Sequence, residues 1–224
     1  TPKPSSAASD VYKRQDHESV VGKLLLESAG KTKVTRVEKK QRTRNPAPPF
    51  TTSTLQQESV RKLGFTTSRA MRIAQQLYEG IDIGSGTVGL ITYMRTDSLT
   101  LSNEAMNQIR GYIQSNFDAD YLPKAPIFYK TKSKNAQEAH EAIRPTDITR
   151  TPQSLIGKLS PEQFKLYEMI WKRSLASQMT PAKFDAVSVD LAIGSEANLF
   201  RATGQTLIFP GFIAIYTESL SLIH

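Results

Sequence analysis

A short proline-rich segment, NPAPPF at Asn45–Phe50, constrains the fold of this chain more than any other feature. Its three prolines exclude a helix, because proline lacks a backbone N–H and biases the preceding residue toward extended backbone. The segment also separates two patterns: a basic, strand-like stretch precedes it, and amphipathic helices follow it. We therefore predict an extended connector at a domain boundary.

The stretch before the connector, Lys31–Arg44, has the sequence KTKVTRVEKKQRTR. Val34 and Val37 are its only apolar residues, which predicts a strand exposed on at least one face. Its seven cations, opposed only by Glu38, are Lys31, Lys33, Arg36, Lys39, Lys40, Arg42 and Arg44. With a net charge of +8 for the whole chain, this stretch favours a polyanionic partner such as nucleic acid or an anionic membrane surface. A solvated charged strand explains it equally well.

Composition excludes several classes of protein. The 224 residues include no cysteine, so disulfides and thiolate metal sites are excluded, in keeping with a reducing cytoplasm. No apolar run approaches the roughly 18 residues of a membrane span, and no secretory signal is visible. We expect a cytoplasmic protein without a membrane partner. Both ends, residues 1–15 and 218–224, have the character of a non-native leader and tail and are set aside in predicting the fold.

Amphipathic helices are predicted on both sides of the connector. Before it, residues 16–28 place apolar side chains on one helical face. After it, helices are predicted to start at capping side chains, which are Ser53 or Thr54, Ser68, Ser102 and Ser160. The helix that follows Ser68 has an apolar stripe ending in Tyr78.

Strands are predicted again near the end of the chain. Residues 184–193 alternate in the manner of a half-buried strand, and two further strands are predicted around Gly204 and around Pro210–Gly211. The two strand-forming regions flank the helices, so they can pair into one sheet with the helical part inserted between them. This order predicts an α+β fold.

The segment GLITYMRTDS, residues 89–98, combines an apolar run with a polar end. If a strand ends near Tyr93, the next residues form a loop around its hydroxyl. A phenol is a poor nucleophile until its anion is stabilised, and Arg95 offers a guanidinium that can clamp a phosphate and stabilise charge developing on it. Asp97 can orient Arg95. A structural tyrosine beside a surface ion pair is the commoner meaning of a single Tyr-x-Arg pattern.

A second polar cluster is QEAHEAIRPT, at residues 137–146. We predict a short helix that stops before Pro145, which would place His140 and Arg144 on one face as two donors to an anion. A lone histidine is more often an ordinary surface or core residue. Metal binding by His140 is not expected, because the chain offers too few ligands at useful spacing.

The two clusters, together with the upstream NPAPPFTTSTLQQES, occur in the order found in bacterial type IA DNA topoisomerases. The chain resembles that family from about Asp16 to Thr217. The resemblance implies that Tyr93 attacks a phosphodiester of single-stranded DNA, giving a 5′-phosphotyrosine, and that strand passage and religation relax negative supercoils without ATP. Arg95 matches the arginine that positions the phosphate, and His140 matches a histidine near the active site.

Further DNA contacts are implied by the same resemblance. Thr96, Asp97 and Arg144 match supporting positions, while Ser53, Thr54 and Gln56 lie at a joint of the family's fold. The expected partners are single-stranded and negatively supercoiled DNA, and the parent protein is expected to be a monomer. The residues of these motifs favour the common topoisomerase I over a decatenating relative.

The resemblance also implies a domain plan, in which a helical domain carrying the tyrosine is inserted between two halves of an antiparallel β arch. Residues 16–50 and 183–217 would form the arch, residues 51–152 the helical domain and residues 153–182 a connecting helix. The family binds Mg²⁺ through an acidic cluster in an N-terminal domain, and no such cluster is visible here. We therefore expect an internal fragment that does not relax DNA alone.

Two other classes fit parts of the pattern. A non-catalytic single-stranded nucleic-acid-binding module would show salt-sensitive binding without a covalent product. A tyrosine recombinase or type IB enzyme also uses Arg, His and Tyr, but there the tyrosine usually follows the other two, whereas Tyr93 precedes His140.

Overall fold

The computed structural model describes most of the chain between residues 32 and 217. The described residues are 22, 23, 26, 32–130, 141–193 and 195–217. They form two compact units, divided after Arg42, Lys183 and Ile208. We call the unit with residues 43–183 and 209 onward the helical unit, and the other the sheet unit.

Between residues 32 and 217, the described residues include five strands and four α-helices. In chain order they are β1 (Thr32–Arg44), α1 (Thr52–Glu58), α2 (Thr67–Glu79), β2 (Ile81–Asp82), β3 (Thr87–Val88), α3 (Asn103–Asn116), α4 (Pro161–Ala176), β4 (Ala182–Ile193) and β5 (Ser195–Phe209). A π-helical turn at Ser59–Leu63 continues α1, and 3₁₀ turns lie at Ala119–Tyr121, Pro152–Leu155 and Gly211–Ala214.

The main sheet has the strand order β1–β4–β5. Because a single residue separates β4 from β5, these neighbouring strands form an antiparallel hairpin. The prediction that strands before and after the helices pair into one sheet is confirmed, and so is the α+β class. The predicted exposure of the basic strand is confirmed as well, since Val34 and Val37 in β1 are 53% and 54% exposed.

The end of the sheet differs from the prediction. A single strand, β5, replaces the two strands expected around Gly204 and Pro210–Gly211, and a 3₁₀ turn follows it. Pro210 lacks a backbone N–H and cannot extend the ladder. Gly211 adopts φ +50°, and a Cβ there would lie 2.2 Å from the carbonyl oxygen of Thr180. Glycine is required at this turn because a side chain there would clash with Thr180.

The core of the helical unit surrounds α4. Both α2 and α3 pack against it, and Leu166, Tyr167 and Ile170 on α4 are fully buried. The predicted helix start at Ser160 is confirmed: its side chain caps α4 and pairs reciprocally with Gln163. This helix therefore lies at the centre of the core of the helical unit.

The proline connector packs within the helical unit rather than standing free. Phe50 is fully buried, and the guanidinium Nε of Arg173 donates to the carbonyl oxygen of Pro48 at 2.6 Å. The Tyr129 hydroxyl donates to the carbonyl of Pro46 at 3.2 Å. Extended proline backbone leaves its carbonyls unpaired, and these side chains satisfy them.

Two helix starts differ from the predicted residue. Thr51, not Ser53 or Thr54, caps α1 and forms a capping box with Thr54. Thr66, not Ser68, caps α2. In each case the cap is the last residue with extended backbone, and the serine or threonine further on is already helical. Ser102 caps α3, as predicted.

Some predictions fall largely outside the described residues. Of the helix expected at residues 16–28, only residues 22, 23 and 26 are described, and they are helical. The end segments, residues 1–15 and 218–224, also lie outside the described part. None of the described helices is both long and apolar enough to cross a membrane.

Candidate functional site

The apolar run before Tyr93 is buried but does not form the predicted strand. Ile91 makes only an isolated antiparallel bridge with Pro145, although Leu90 and Ile91 are each 1% exposed. The backbone N–H of Leu90 donates instead to the carbonyl of Leu77 at 2.7 Å. The backbone of Leu90 thus pairs with the end of α2 and with the loop at Thr146, so its hydrogen bonds are satisfied without a sheet.

Burial alternates along the following residues. Met94, Thr96 and Ser98 are buried, at 1%, 7% and 4% exposed. Tyr93 is 45% exposed, and Arg95 and Asp97 are also exposed. The phenol and the guanidinium thus both reach solvent from a segment whose alternate residues are buried.

Two threonine hydroxyls hold the backbone on either side of Tyr93. The Thr52 hydroxyl, at the start of α1, accepts from the N–H of Thr96 at 2.9 Å and donates to the carbonyl of Met94 at 2.7 Å. The Thr92 hydroxyl accepts from the N–H of Arg144 at 3.0 Å and donates to the carbonyl of Ala142 at 2.7 Å. The backbone around the exposed phenol is therefore fixed from two directions.

Arg95 is available to an anion. Across the described residues it makes no ion pair, and Asp97 makes none either. The idea that Asp97 orients Arg95 has no ion pair to support it. Of the other predicted DNA contacts, Thr96 is buried, and its hydroxyl accepts from the Ser98 N–H at 3.1 Å.

The second polar cluster differs from its prediction. His140 lies outside the described residues, and residues 141–144 are not helical. Ile143 instead bridges to Phe50, because this segment runs alongside the connector. The helical spacing argument for placing His140 and Arg144 on one face is therefore wrong over residues 141–144.

The side chain of Arg144 is already occupied. Its guanidinium donates to Glu141 Oε2 at 2.6 and 3.2 Å and to the carbonyl of Pro145 at 2.9 Å. Burial alone would raise the pKa of Glu141, but hydrogen bonds from Ser102 and Arg144, with the charge of Arg144, outweigh it and lower that pKa. This pair braces the loop that supports Thr92.

Ser53, Thr54 and Gln56, which the resemblance places at a joint of the family's fold, lie on the first turns of α1. Thr52 of the same helix binds the Tyr93 segment. Ser53 is exposed and Gln56 is half-buried. The Thr54 hydroxyl accepts from the N–H of Thr51 at 2.9 Å as part of the helix cap. The structure thus brings this helix start to the Tyr93 segment, although 44 residues separate Thr52 from Thr96.

Sequence reasoning missed the exposure of Tyr78 and its contact with Tyr93. The prediction makes it the end of the buried stripe of α2, but it is 41% exposed while Leu77 is fully buried. Its ring meets the Tyr93 ring edge to face, with centroids 5.3 Å apart and planes at 66°. Its position one residue beyond the last buried stripe residue was the only available signal.

The described residues do not fit a metal site. No group of three or more His, Cys, Asp or Glu side chains within the described ranges is placed to hold a metal ion. The expectation that Mg²⁺ is bound by an N-terminal domain of the parent protein stays a prediction.

Comparison with known proteins identifies the family. A family model described as DNA topoisomerase matches residues 3–221, nearly the whole chain. The match extends into both end segments that were expected to be non-native. The chain belongs to this DNA topoisomerase family.

Individual relatives carry the name DNA topoisomerase 1. The protein from Xylella fastidiosa (strain Temecula1 / ATCC 700964) is 57% identical over 190 residues, which cover 84% of this chain and 23% of that protein. The Rickettsia prowazekii protein is 50% identical over 210 residues, covering 94% and 27%. This chain thus spans about a quarter of the length of these curated relatives.

A solved structure shows the same fold. Full-length topoisomerase I from Thermotoga maritima aligns with a TM-score of 0.77 at 36% identity, over 89% of this chain and 32% of that one.

Proposed function

We propose that Tyr93 is the nucleophile of a type IA DNA topoisomerase, cleaving one DNA strand transiently and rejoining it. One observation carries this proposal: Tyr93 is 45% exposed, and Arg95 is exposed two residues later, on a backbone held by Thr52 and Thr92. A covalent mechanism needs an accessible nucleophile in a fixed position beside a group that binds phosphate.

The chemistry balances without an external energy source. The Tyr93 oxygen attacks the phosphorus, forms a phosphotyrosyl bond and loses its proton. The bond from phosphorus to the 3′ oxygen breaks, and that oxygen gains a proton to become a 3′ hydroxyl. The reverse attack restores the original diester. One ester bond replaces another at each step, so ATP is not required.

Arg95 acts on the phosphate in this scheme. Its guanidinium donates paired hydrogen bonds to phosphate oxygens and stabilises the charge that develops on them. Arg144 braces the supporting loop through Glu141 rather than binding DNA, and His140 remains a candidate for assisting cleavage.

Covalent trapping tests the proposal. Single-stranded oligonucleotides labelled at either the 3′ or the 5′ end are incubated with the chain and Mg²⁺, with and without a separately supplied metal-binding domain, and then denatured. A 5′-phosphotyrosine leaves the 3′ label on the protein and releases the 5′ label. The opposite pattern would indicate a 3′-phosphotyrosine, the polarity of type IB chemistry, and would exclude the proposal.

Matched variants locate the nucleophile. Tyr93→Phe is expected to abolish the adduct, while Tyr121→Phe, which removes another hydroxyl of the helical unit, should leave it unchanged. Arg95→Ala should slow adduct formation by about 10²–10³, as loss of a charge-stabilising donor does elsewhere. We further expect no supercoil relaxation by the 224-residue chain alone. Robust relaxation would contradict that expectation.

The exposed basic strand β1 favours a second candidate, a single-stranded nucleic-acid-binding module. Replacing Lys33, Lys39 and Arg42 with Gln should reduce the salt dependence of oligonucleotide binding, by about 0.7 in the logarithmic slope for each phosphate that the variant no longer neutralises. Lys158→Gln, in the helical unit, is the control. Binding with this salt dependence but without any adduct, even when the metal-binding domain is present, would favour the module over the enzyme.

A further inference from the structure

The ring of Tyr93 has one aromatic neighbour among the described residues, Tyr78, at the end of α2. The two rings meet edge to face, with centroids 5.3 Å apart. Both rings are partly exposed, at 41% for Tyr78 and 45% for Tyr93. Their contact therefore lies at the surface where a DNA strand would approach the phenol.

The backbone that carries Tyr78 is held against the segment leading to Tyr93. The Leu90 N–H donates to the carbonyl of Leu77 at 2.7 Å. A Cβ at Gly89 would lie 2.7 Å from the Tyr78 carbonyl oxygen. Only glycine permits this approach, so the last turn of α2 is fixed relative to residues 89–91.

With both backbones fixed, the side-chain torsions are the main freedom left to the Tyr93 ring. Thr52 and Thr92 hold its backbone, but no described residue forms a hydrogen bond with its hydroxyl. Edge-to-face packing restricts ring orientation because the positive edge of one ring favours the negative face of the other. Tyr78 is the described ring in a position to supply that restriction.

We infer that Tyr78 is a positioning residue, whose ring holds the Tyr93 ring in the orientation needed for attack on phosphate. This inference rests on the proposed function of Tyr93. It requires the aromatic ring of Tyr78 and not its hydroxyl. Phenylalanine should therefore replace Tyr78, whereas leucine, which fills the space without a ring quadrupole, should not.

The first test asks, without requiring activity, whether the Tyr93 ring packs against the Tyr78 ring. The full chain is labelled with 3-fluorotyrosine, and the Tyr93 fluorine signal is identified as the one that disappears in Tyr93→Phe. Tyr78→Leu is expected to shift that signal, while Tyr78→Phe should leave it near its wild-type position. Tyr112→Leu is the matched control, since it removes a similar edge-on contact, with Trp171 at 5.4 Å, away from Tyr93.

The second test measures adduct formation under the trapping conditions described above. Tyr78→Leu should slow it about threefold to tenfold without weakening oligonucleotide binding, and Tyr78→Phe should stay within about twofold of wild type. A folded Tyr78→Leu chain with an unmoved Tyr93 signal would overturn the inference. Equal losses in the Phe and Leu variants would do the same, since the hydroxyl would then be responsible.

The two proposals fail separately. If the wild-type chain forms no adduct even with the metal-binding domain supplied, cleavage by Tyr93 fails as a proposal. The fluorine signal still decides whether the Tyr78 ring contacts the Tyr93 ring, and the absence of that contact would overturn the inference about Tyr78.

Discussion

The helical unit and the sheet unit bury very different amounts of apolar side chain. Nearly all the buried apolar residues belong to the helical unit, whereas Ala192 is the only one among those described in the sheet unit. The strands of the sheet unit are joined by backbone hydrogen bonds and exposed charge pairs, such as Arg201 with Asp190 at 2.6 Å. The exposed phenol is thus carried by the unit that has a packed core.

This difference is consistent with the proposed role of Tyr93 as a nucleophile. A side chain must be held to within a fraction of an ångström for efficient attack, and close-packed cores resist deformation. The segment around Tyr93 is anchored to α1, to α2 and to the loop at residues 142–146, all within the helical unit. The sheet unit presents exposed cations instead, and attraction between cations and a polyanion needs no such precision.

The largest expected effect comes from a core truncation. Leu166→Ala removes a fully buried side chain of α4 and should lower the free energy of unfolding by about 2–5 kcal/mol. Val37→Ala, at a position 54% exposed in β1, should change it by less than about 0.5 kcal/mol. Urea unfolding followed by circular dichroism measures both. Equal losses at the two positions would break the comparison between the units.

A smaller effect is expected at a buried carboxylate. Glu58 is 6% exposed and accepts from the Tyr216 hydroxyl at 3.0 Å, with Lys62 Nζ 3.6 Å away. Glu58→Gln weakens these interactions and should cost about 1–3 kcal/mol of unfolding free energy. Glu38→Gln changes a half-buried carboxylate of β1 that pairs with Lys40, and it serves as the control. Because surface ion pairs contribute little, a much smaller loss than at Glu58 is expected. If Glu38→Gln lowers the unfolding free energy as much as Glu58→Gln does, burial does not explain the difference between these two carboxylates.

The smallest effect concerns the pH dependence of stability. The pKa of Glu141 is lowered from 4.5 in the folded chain. Its contribution is therefore fully present above pH 4.5 and is lost as the pH falls through the lowered folded value. The free energy of unfolding of the wild type should exceed that of Glu141→Gln at pH 6, and the difference between them should shrink toward pH 3. A difference that is constant over this range would show that ionisation of Glu141 does not contribute.

Much of the helical unit is predictable from local sequence. The caps Ser102 and Ser160, which start α3 and α4, follow from the sequence correctly, because capping signals act within one helical turn. The basic strand is also recognisable, since its few apolar residues already indicate an exposed face. Of the candidate site, Tyr93 and Arg95 are predicted from the family resemblance of several motifs in order, and their role stays a prediction.

The errors arise where long-range partners decide the structure. Residues 89–93 were expected to form a strand, but their backbone partners are Leu77 and the loop at residues 142–146. The helix expected to end before Pro145 fails over residues 141–144 for the same reason: Ile143 pairs with Phe50, far away in the sequence. Neither partner is visible in a local pattern of apolar and polar residues.

The sequence by itself determined the α+β class, the basic strand and the helix starts at Ser102 and Ser160, because composition, periodicity and capping signals are local properties. It proposed Tyr93 and Arg95 through the family resemblance of its motifs, and their role stays a prediction. Only the tertiary structure decided that Thr52 and Thr92 hold the Tyr93 segment, that Glu141 occupies Arg144, and that Tyr78 lies against the phenol. Those contacts join segments far apart in the chain, and which segments meet depends on how the core packs.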